Sequence, residues 1–148
     1  MNRLTRLLTV TALAATLTLP TVAEAKDKAA AWAAWTERAE RIYDALISAS
    51  SPRLDSACKG VTGTVIGQGM AFPMWAQNLI RVCTVTQAAY HGSENNRRSR
   101  QICNDLKDIA KDYAKAPEVP EAPRAAEIAH NIADAAGAIR DKLCVNFR

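Results

Sequence analysis

The sequence predicts an all-α protein: an antiparallel helical bundle of four main helices, joined by a short glycine-rich helical segment and held by two disulfides. Three observations carry that prediction. Apolar residues recur at steps of three and four through most of the chain, and no segment shows sustained strand alternation. Prolines and glycines punctuate the helical stretches at Pro52, Gly92 and the Pro117–Pro123 run. Four cysteines, widely spaced, follow an N-terminal stretch with the order of an export signal.

That stretch is residues 1–25. Arg3 and Arg6 make a positive start, Leu7 to Leu19 an apolar core, Pro20 breaks it, and Ala23-Glu24-Ala25 supplies the small residues a signal peptidase accepts. The apolar run is shorter than the ~20 residues a permanent membrane span needs. No cysteine stands at the cleavage site to take a lipid. Cleavage after Ala25 is expected to leave one domain, residues 26–148, in the periplasm or outside the cell. No second apolar run follows, so no transmembrane segment is expected in the mature chain. Of the 19 Lys+Arg and 15 Asp+Glu, residues 1–25 hold Arg3, Arg6 and Glu24, which leaves 17 and 14 and a net charge of +3. That is a slight excess rather than a basic surface, so nucleic acid is not an expected partner.

The first mature helix is expected over about 28–49. Trp32, Trp35, Ala39, Ile42 and Leu46 share its buried face, and Ser50-Ser51-Pro52 ends it, because a proline disfavours helix in the residue before it. Ser51-Pro52 opens a second segment reaching about Gln68, with serine as cap and proline at the first position. Gly60, Gly63 and Gly67 would lie on one face there, admitting a close neighbour, but each costs roughly 1 kcal/mol inside a helix. From Gly60 to Gly69 the segment therefore reads as either helix or loop.

Pro73 starts a third helix over about 73–91, closed by Gly92, with Trp75, Leu79, Val82, Thr86 and Tyr90 as its stripe. Ser93 caps a fourth over about 94–114, where Ser99, Ile102, Leu106, Ile109 and Tyr113 line up. Pro117, Pro120 and Pro123 recur every three residues, which predicts an extended polyproline linker able to cross the bundle end. The last helix is expected over about 124–143, with Ile128, Ile132, Ala135, Ile139 and Leu143 inward.

Cys58, Cys83, Cys103 and Cys144 are an even set in an exported chain and read as two disulfides. No C-x-x-C is present, which argues against a redox motif, covalent haem or a zinc ribbon. Heights suggest the pairing. Cys83 and Cys103 lie about equally far from the Gly92-Ser93 turn, at ~1.5 Å per residue, so Cys83–Cys103 with Cys58–Cys144 is the preferred pairing. The rival, Cys58–Cys83 with Cys103–Cys144, is symmetric about the Gly69–Pro73 turn. It leaves the second pair unequal by about ten residues when counted from the linker ends.

Candidate chemistry is sparse. Glu127, His130 and Asp134 share a helical face, and Glu-x-x-His is half of a di-iron signature, but the second half is missing and the face points away from the isoleucines. Non-covalent haem would need inward axial ligands, whereas His91 stands at a helix end, His130 points outward, and Met70 and Met74 sit near a turn. Neither histidine offers a base to a serine, so no enzyme, cofactor or metal site is expected. Arg97, Arg98 and Arg100 stand in the first turns of a helix, where the dipole disfavours cations, and suggest a surface for an acidic protein partner. Trp32, Trp35 and Trp75 are expected in the core.

Cys58-Lys59-Gly60 followed by Gly63 resembles, over those few residues, a cysteine-and-glycine helix of small periplasmic immunity proteins, which block secreted toxins. The aromatic that follows the glycine there is missing, and the resemblance assigns no family. The expected function is a small exported protein-binding factor, such as an inhibitor, an immunity protein or an accessory subunit of an envelope or secretion complex. The alternative is a ligand-carrying bundle for haem, metal or a small apolar molecule.

Overall fold

The computed structural model describes residues 22–67, 72–92 and 96–145, with side chains for 27–67, 72–92 and 100–145. Residues 1–21, and with them most of the predicted export signal, lie outside the described residues. Seven helices follow in order: α1 (Val22–Ile47), α2 (Ser51–Cys58), α3 (Val61–Ile66), α4 (Met74–Gln77), α5 (Leu79–Tyr90), α6 (Asn96–Ala114) and α7 (Pro123–Leu143). The four long ones are the four main helices of the predicted bundle.

Side-chain contacts give their directions. Trp35 Nε1 donates to the Ala76 carbonyl and the Tyr90 hydroxyl to that of Leu46, so α1 and α5 run the same way. Lys28 pairs with Glu121, and Leu46 lies by Ile139, so α7 runs with them. Arg81 pairs with Asp105 and Asp108, and Arg38 reaches the carbonyls of Ala57 and Lys59, so α6 and α2 run against them. The C-terminal ends of α1, α5 and α7 therefore gather at one end of the bundle.

Most of the predicted core is buried, but Leu143, expected inward on the last helix, is 51% exposed because α7 runs past the end of α1. Trp32, Trp35, Ala39, Ile42 and Leu46 of α1 are all buried, against Leu79, Val82, Leu106, Ile109, Tyr113 and Ile132. An aromatic knot fills the other end, with Trp32 edge-on to Phe72 at 4.9 Å and Trp35 edge-on to Trp75 at 5.3 Å. Such pairs add ~0.5–1.5 kcal/mol beyond the area they bury.

The glycine-rich segment resolves into two short helices. Ser50 caps α2, its hydroxyl accepting from the Arg53 N–H. Gly60 then separates α2 from α3 at φ +80°, a conformation other residues avoid. The predicted close approach of another element occurs at Gly60 alone, where a methyl would lie 3.6 Å from Arg38 Nη2; one at Gly63 would touch nothing, and the nearest atoms to one at Gly67 are the backbone of Gly63 in its own helix. The predicted third helix is interrupted at Asn78, where the Trp35 indole takes the Ala76 carbonyl and the Gln77 amide takes that of Phe72.

The linker also departs from expectation. Ala116 and Val119 are buried, and a turn at Pro120-Glu121 closes through Ala122 N–H to the Val119 carbonyl. His130 Nε2 donates to the Ala116 carbonyl at 3.0 Å, so the linker doubles back beside the first two turns of α7 instead of crossing the bundle end.

That path explains the disulfides, which are Cys58–Cys83 and Cys103–Cys144 rather than the preferred Cys83–Cys103 and Cys58–Cys144. Counted from the level where Ala116 meets His130, Cys103 and Cys144 stand at nearly the same height; the linker absorbs the ten-residue mismatch. Cys83 and Cys103 are also level, as the Arg81–Asp105 pair shows, but they face apart. Arg81 and Asp105 fill the α5–α6 seam, and residues two apart on a helix point to nearly opposite sides. Cys83 thus faces α2 and Cys103 faces α7. Two disulfides fit an extracellular or secreted protein. Among the described residues no helix is long and apolar enough to cross a membrane.

Candidate functional site

Where α1, α5 and α7 end together, packing is incomplete. On α7, Ala135, Ala138, Ile139 and Lys142 follow the i, i+3, i+4, i+7 spacing of a single face. Against them stand Leu46 and Ile47 of α1 and Tyr90 of α5. Ala49, Ala135 and Ala138 carry too little side chain to fill the gap, and a cleft of about 350 Å³ remains. Its surface is mostly apolar, and Ile47 (60% exposed) and Leu143 (51% exposed) stand on its rim. A site of this volume lies within the ~300–1,000 Å³ of small-molecule pockets.

The backbone contributes to the hollow. Ala49 has φ +50°, the left-handed region that a residue with a Cβ enters at a cost of roughly 1–2 kcal/mol. This turn throws the chain sharply from α1 into α2. Tyr90 holds the wall: its hydroxyl is tied to the Leu46 carbonyl at 2.9 Å, and partial burial raises its pKa above the ordinary tyrosine value. Lys142 is the single charged lining residue, and no ion pair engages it among the described residues.

Beside the cleft is a polar cluster that the sequence reading passed over. His91 Nε2 lies 3.0 Å from both carboxylate oxygens of Asp55, and Gln87 Nε2 donates to the same carboxylate at 3.0 Å. These two bonds, that of His91 first, hold the Asp55 carboxyl below its ordinary range. Ser51 Oγ is 3.3 Å from the same His91 nitrogen and 3.5 Å from the other, Nδ1. Serine, histidine and aspartate thus meet, but not as a hydrolytic triad. In a triad the carboxylate and the hydroxyl take opposite ring nitrogens. Here Asp55 holds the Nε2 hydrogen, and the Ser51 hydroxyl lies nearer that nitrogen, at 3.3 Å, than the opposite Nδ1, at 3.5 Å. Met74 or the His130–Ala116 bond could not have revealed this cluster; only the packing of α2 on α5 brings residues 51, 55, 87 and 91 together.

The other predicted site residues divide. Arg97 and Arg98 have side chains outside the described residues; Arg100 is exposed on α6 and is not a free cation. His130 is exposed beside Glu127 and Asp134, and its ring is spent on the Ala116 carbonyl. Met70 lies outside the described residues, and Met74 is 70% exposed. Trp32 and Trp35 are buried, as expected, and Trp75 is half-buried in the same knot. The cleft itself had one legible signal. The predicted α7 stripe runs on to Leu143, beyond the last residue of α1 able to cover it.

Compared with protein-family models, curated proteins and solved structures, the chain matches none, so the case for its function stands on the cleft and its rim.

Proposed function

We propose that this is a small exported binding protein without catalytic chemistry of its own, and that binding takes place in the apolar cleft at the α1–α5–α7 end. The observation that carries the reading is the hollow itself: an open space of about 350 Å³ walled by Leu46, Ile47, Tyr90, Ile139 and Leu143. Ile47 and Leu143 keep more than half their surface in water. Exposed apolar area of this kind marks a surface that is covered when the protein works.

The concavity favours a small apolar molecule as the occupant, as in the ligand-carrying reading of the sequence. A protein partner, such as the target of an inhibitor or immunity protein or a complex to which the chain is an accessory subunit, is the second reading. The convex rim of Ile47 and Leu143, which could seat between partner side chains, favours it. The test is native mass spectrometry on protein purified from its own host with disulfides intact, beside Ala138→Trp. Ala138 is exposed and lines the cleft, so the indole fills the hollow and leaves the core untouched. A bound species in the wild type that disappears in A138W supports a ligand carrier. An empty wild type that loses a defined protein partner in A138W supports the second reading. A138W without effect on either refutes the cleft.

A further inference from the structure

Resting on that reading of the cleft, we propose that its ligand is a single-chain alkyl anion, an alkyl carboxylate of the fatty-acid type, with the chain in the hollow and the head group at Lys142. Three features on the same few residues support this. The hollow is lined by aliphatic side chains and one aromatic, which suits hydrocarbon and offers nothing to a polar body. Its volume of about 350 Å³ suits one chain and not a two-chain lipid. The polar groups at the lining reduce to two. The Tyr90 hydroxyl is already committed to the Leu46 carbonyl, so Lys142, charged and without an ion pair among the described residues, is the group left to receive a head.

The charges at this end compete, and their sizes decide. The C-terminal ends of α1, α5 and α7 each carry roughly half a negative charge, which would repel an anion. Those partial charges fade within a turn and face solvent. The Lys142 ammonium is a full charge on a flexible stem at the mouth, while Arg140, two residues away, points to nearly the opposite side of α7 and is offset by Asp141 in the same turn. Lys142 is the one full charge among the lining residues, so a carboxylate is preferred over a neutral or cationic head on the same chain.

The experiment uses the full disulfide-bonded protein and three probes of equal chain length: dodecanoate, dodecanol and dodecyltrimethylammonium. Binding is followed by calorimetry with wild type, Lys142→Gln and Ala138→Trp, and vesicles of phosphatidylglycerol are sedimented with each protein. Dodecanoate should bind best, and K142Q should weaken it about three- to fivefold, the range of one solvent-exposed ion pair. Dodecanol should be unmoved by K142Q, A138W should abolish binding of both, and the protein should not sediment with vesicles. Equal binding of all three heads, unaffected by K142Q but lost in A138W, would overturn the anionic ligand and leave the cleft standing. No binding of any probe, or binding that A138W does not change, would overturn both. Sedimentation with vesicles that K142Q abolishes would assign Lys142 to a membrane surface instead, and would overturn the free-ligand proposal.

Discussion

Replacing the buried Tyr113 by phenylalanine should make the protein more stable, against the usual direction of core substitutions. Tyr113 is 1% exposed on α6, its ring edge-on to Trp75 at 6.2 Å. Among the described residues its hydroxyl has no hydrogen-bond partner. In the unfolded chain that hydroxyl is hydrated, and burying it unpaired costs about 1–3 kcal/mol. Deleting it leaves a void of roughly 10 Å³, worth about 0.2 kcal/mol at ~24 cal/mol per Å³. The net expectation is a gain of about 1–2 kcal/mol at pH 7. A second readout comes from pH. Burial holds the phenol well above its ordinary value of 10.0. The unfolded chain therefore loses this proton near pH 10 while the folded chain keeps it. Stability is whole below pH 10 and falls above it by about 1.4 kcal/mol per pH unit until the folded form ionises too. The phenylalanine variant lacks this loss, so its advantage should grow by about 1.4 kcal/mol between pH 7 and pH 11. Tyr90, also raised by burial, titrates in both proteins and cancels. Urea unfolding followed by circular dichroism at pH 7 and pH 11 measures both effects. Tyr113→Phe less stable than wild type at pH 7, with the same gap at pH 11, would show that the hydroxyl is satisfied and the reasoning wrong.

Three further outcomes are expected. Opening Cys58–Cys83 by paired alanine substitution should cost about 3.5 kcal/mol and opening Cys103–Cys144 about 3.9, from the entropy of closing loops of 25 and 41 residues; thermal unfolding without reductant measures both. Arg38→Met should cost about 1–2 kcal/mol, because Nη1 donates to the Ala57 and Lys59 carbonyls at 3.0 and 2.7 Å and the methionine keeps only the stem; urea midpoints read it. Ala49→Gly should stabilise by up to about 1 kcal/mol in the same assay by relieving the positive φ, whereas Gly60→Ala should destabilise by a similar amount for the opposite reason.

Helical periodicity carried most of the fold. The stripes on α1, α6 and α7 are legible because their apolar residues fall on the 3.6-residue period and, up to the exposed Leu143 at the end of α7, meet one common core. What the pattern could not carry was rotation and path. Cys83 and Cys103 stand level, and only the Arg81–Asp105 pair, two residues from each, shows that they face apart. The proline run has the composition of an extended spacer, yet burial of Ala116 and Val119 and the bond from His130 fold it against α7. Beside the break at Asn78, the Ala76 carbonyl is taken by an indole forty-one residues away. The cleft was harder still, because a hollow is made of what is missing: three alanines, each unremarkable alone, and a helix that outruns its neighbours. The meeting of Ser51, Asp55 and His91 is a product of tertiary packing and leaves no spacing in the sequence.

The order of the disulfides has a consequence for biogenesis. The native bonds join the first cysteine to the second and the third to the fourth, and the two loops neither nest nor overlap. In a chain threaded N-terminus first into an oxidising compartment, each native partner is the next thiol to arrive. An oxidase that joins thiols as they emerge, with no proofreading, would produce the native set, and the first loop could close before the second pair has left the translocase. A chain wired Cys58–Cys144 around Cys83–Cys103 would have to hold its first thiol unreacted until its last few residues appeared. The wiring found here spares the protein a need for an isomerase, and its yield should be the same in cells that lack one.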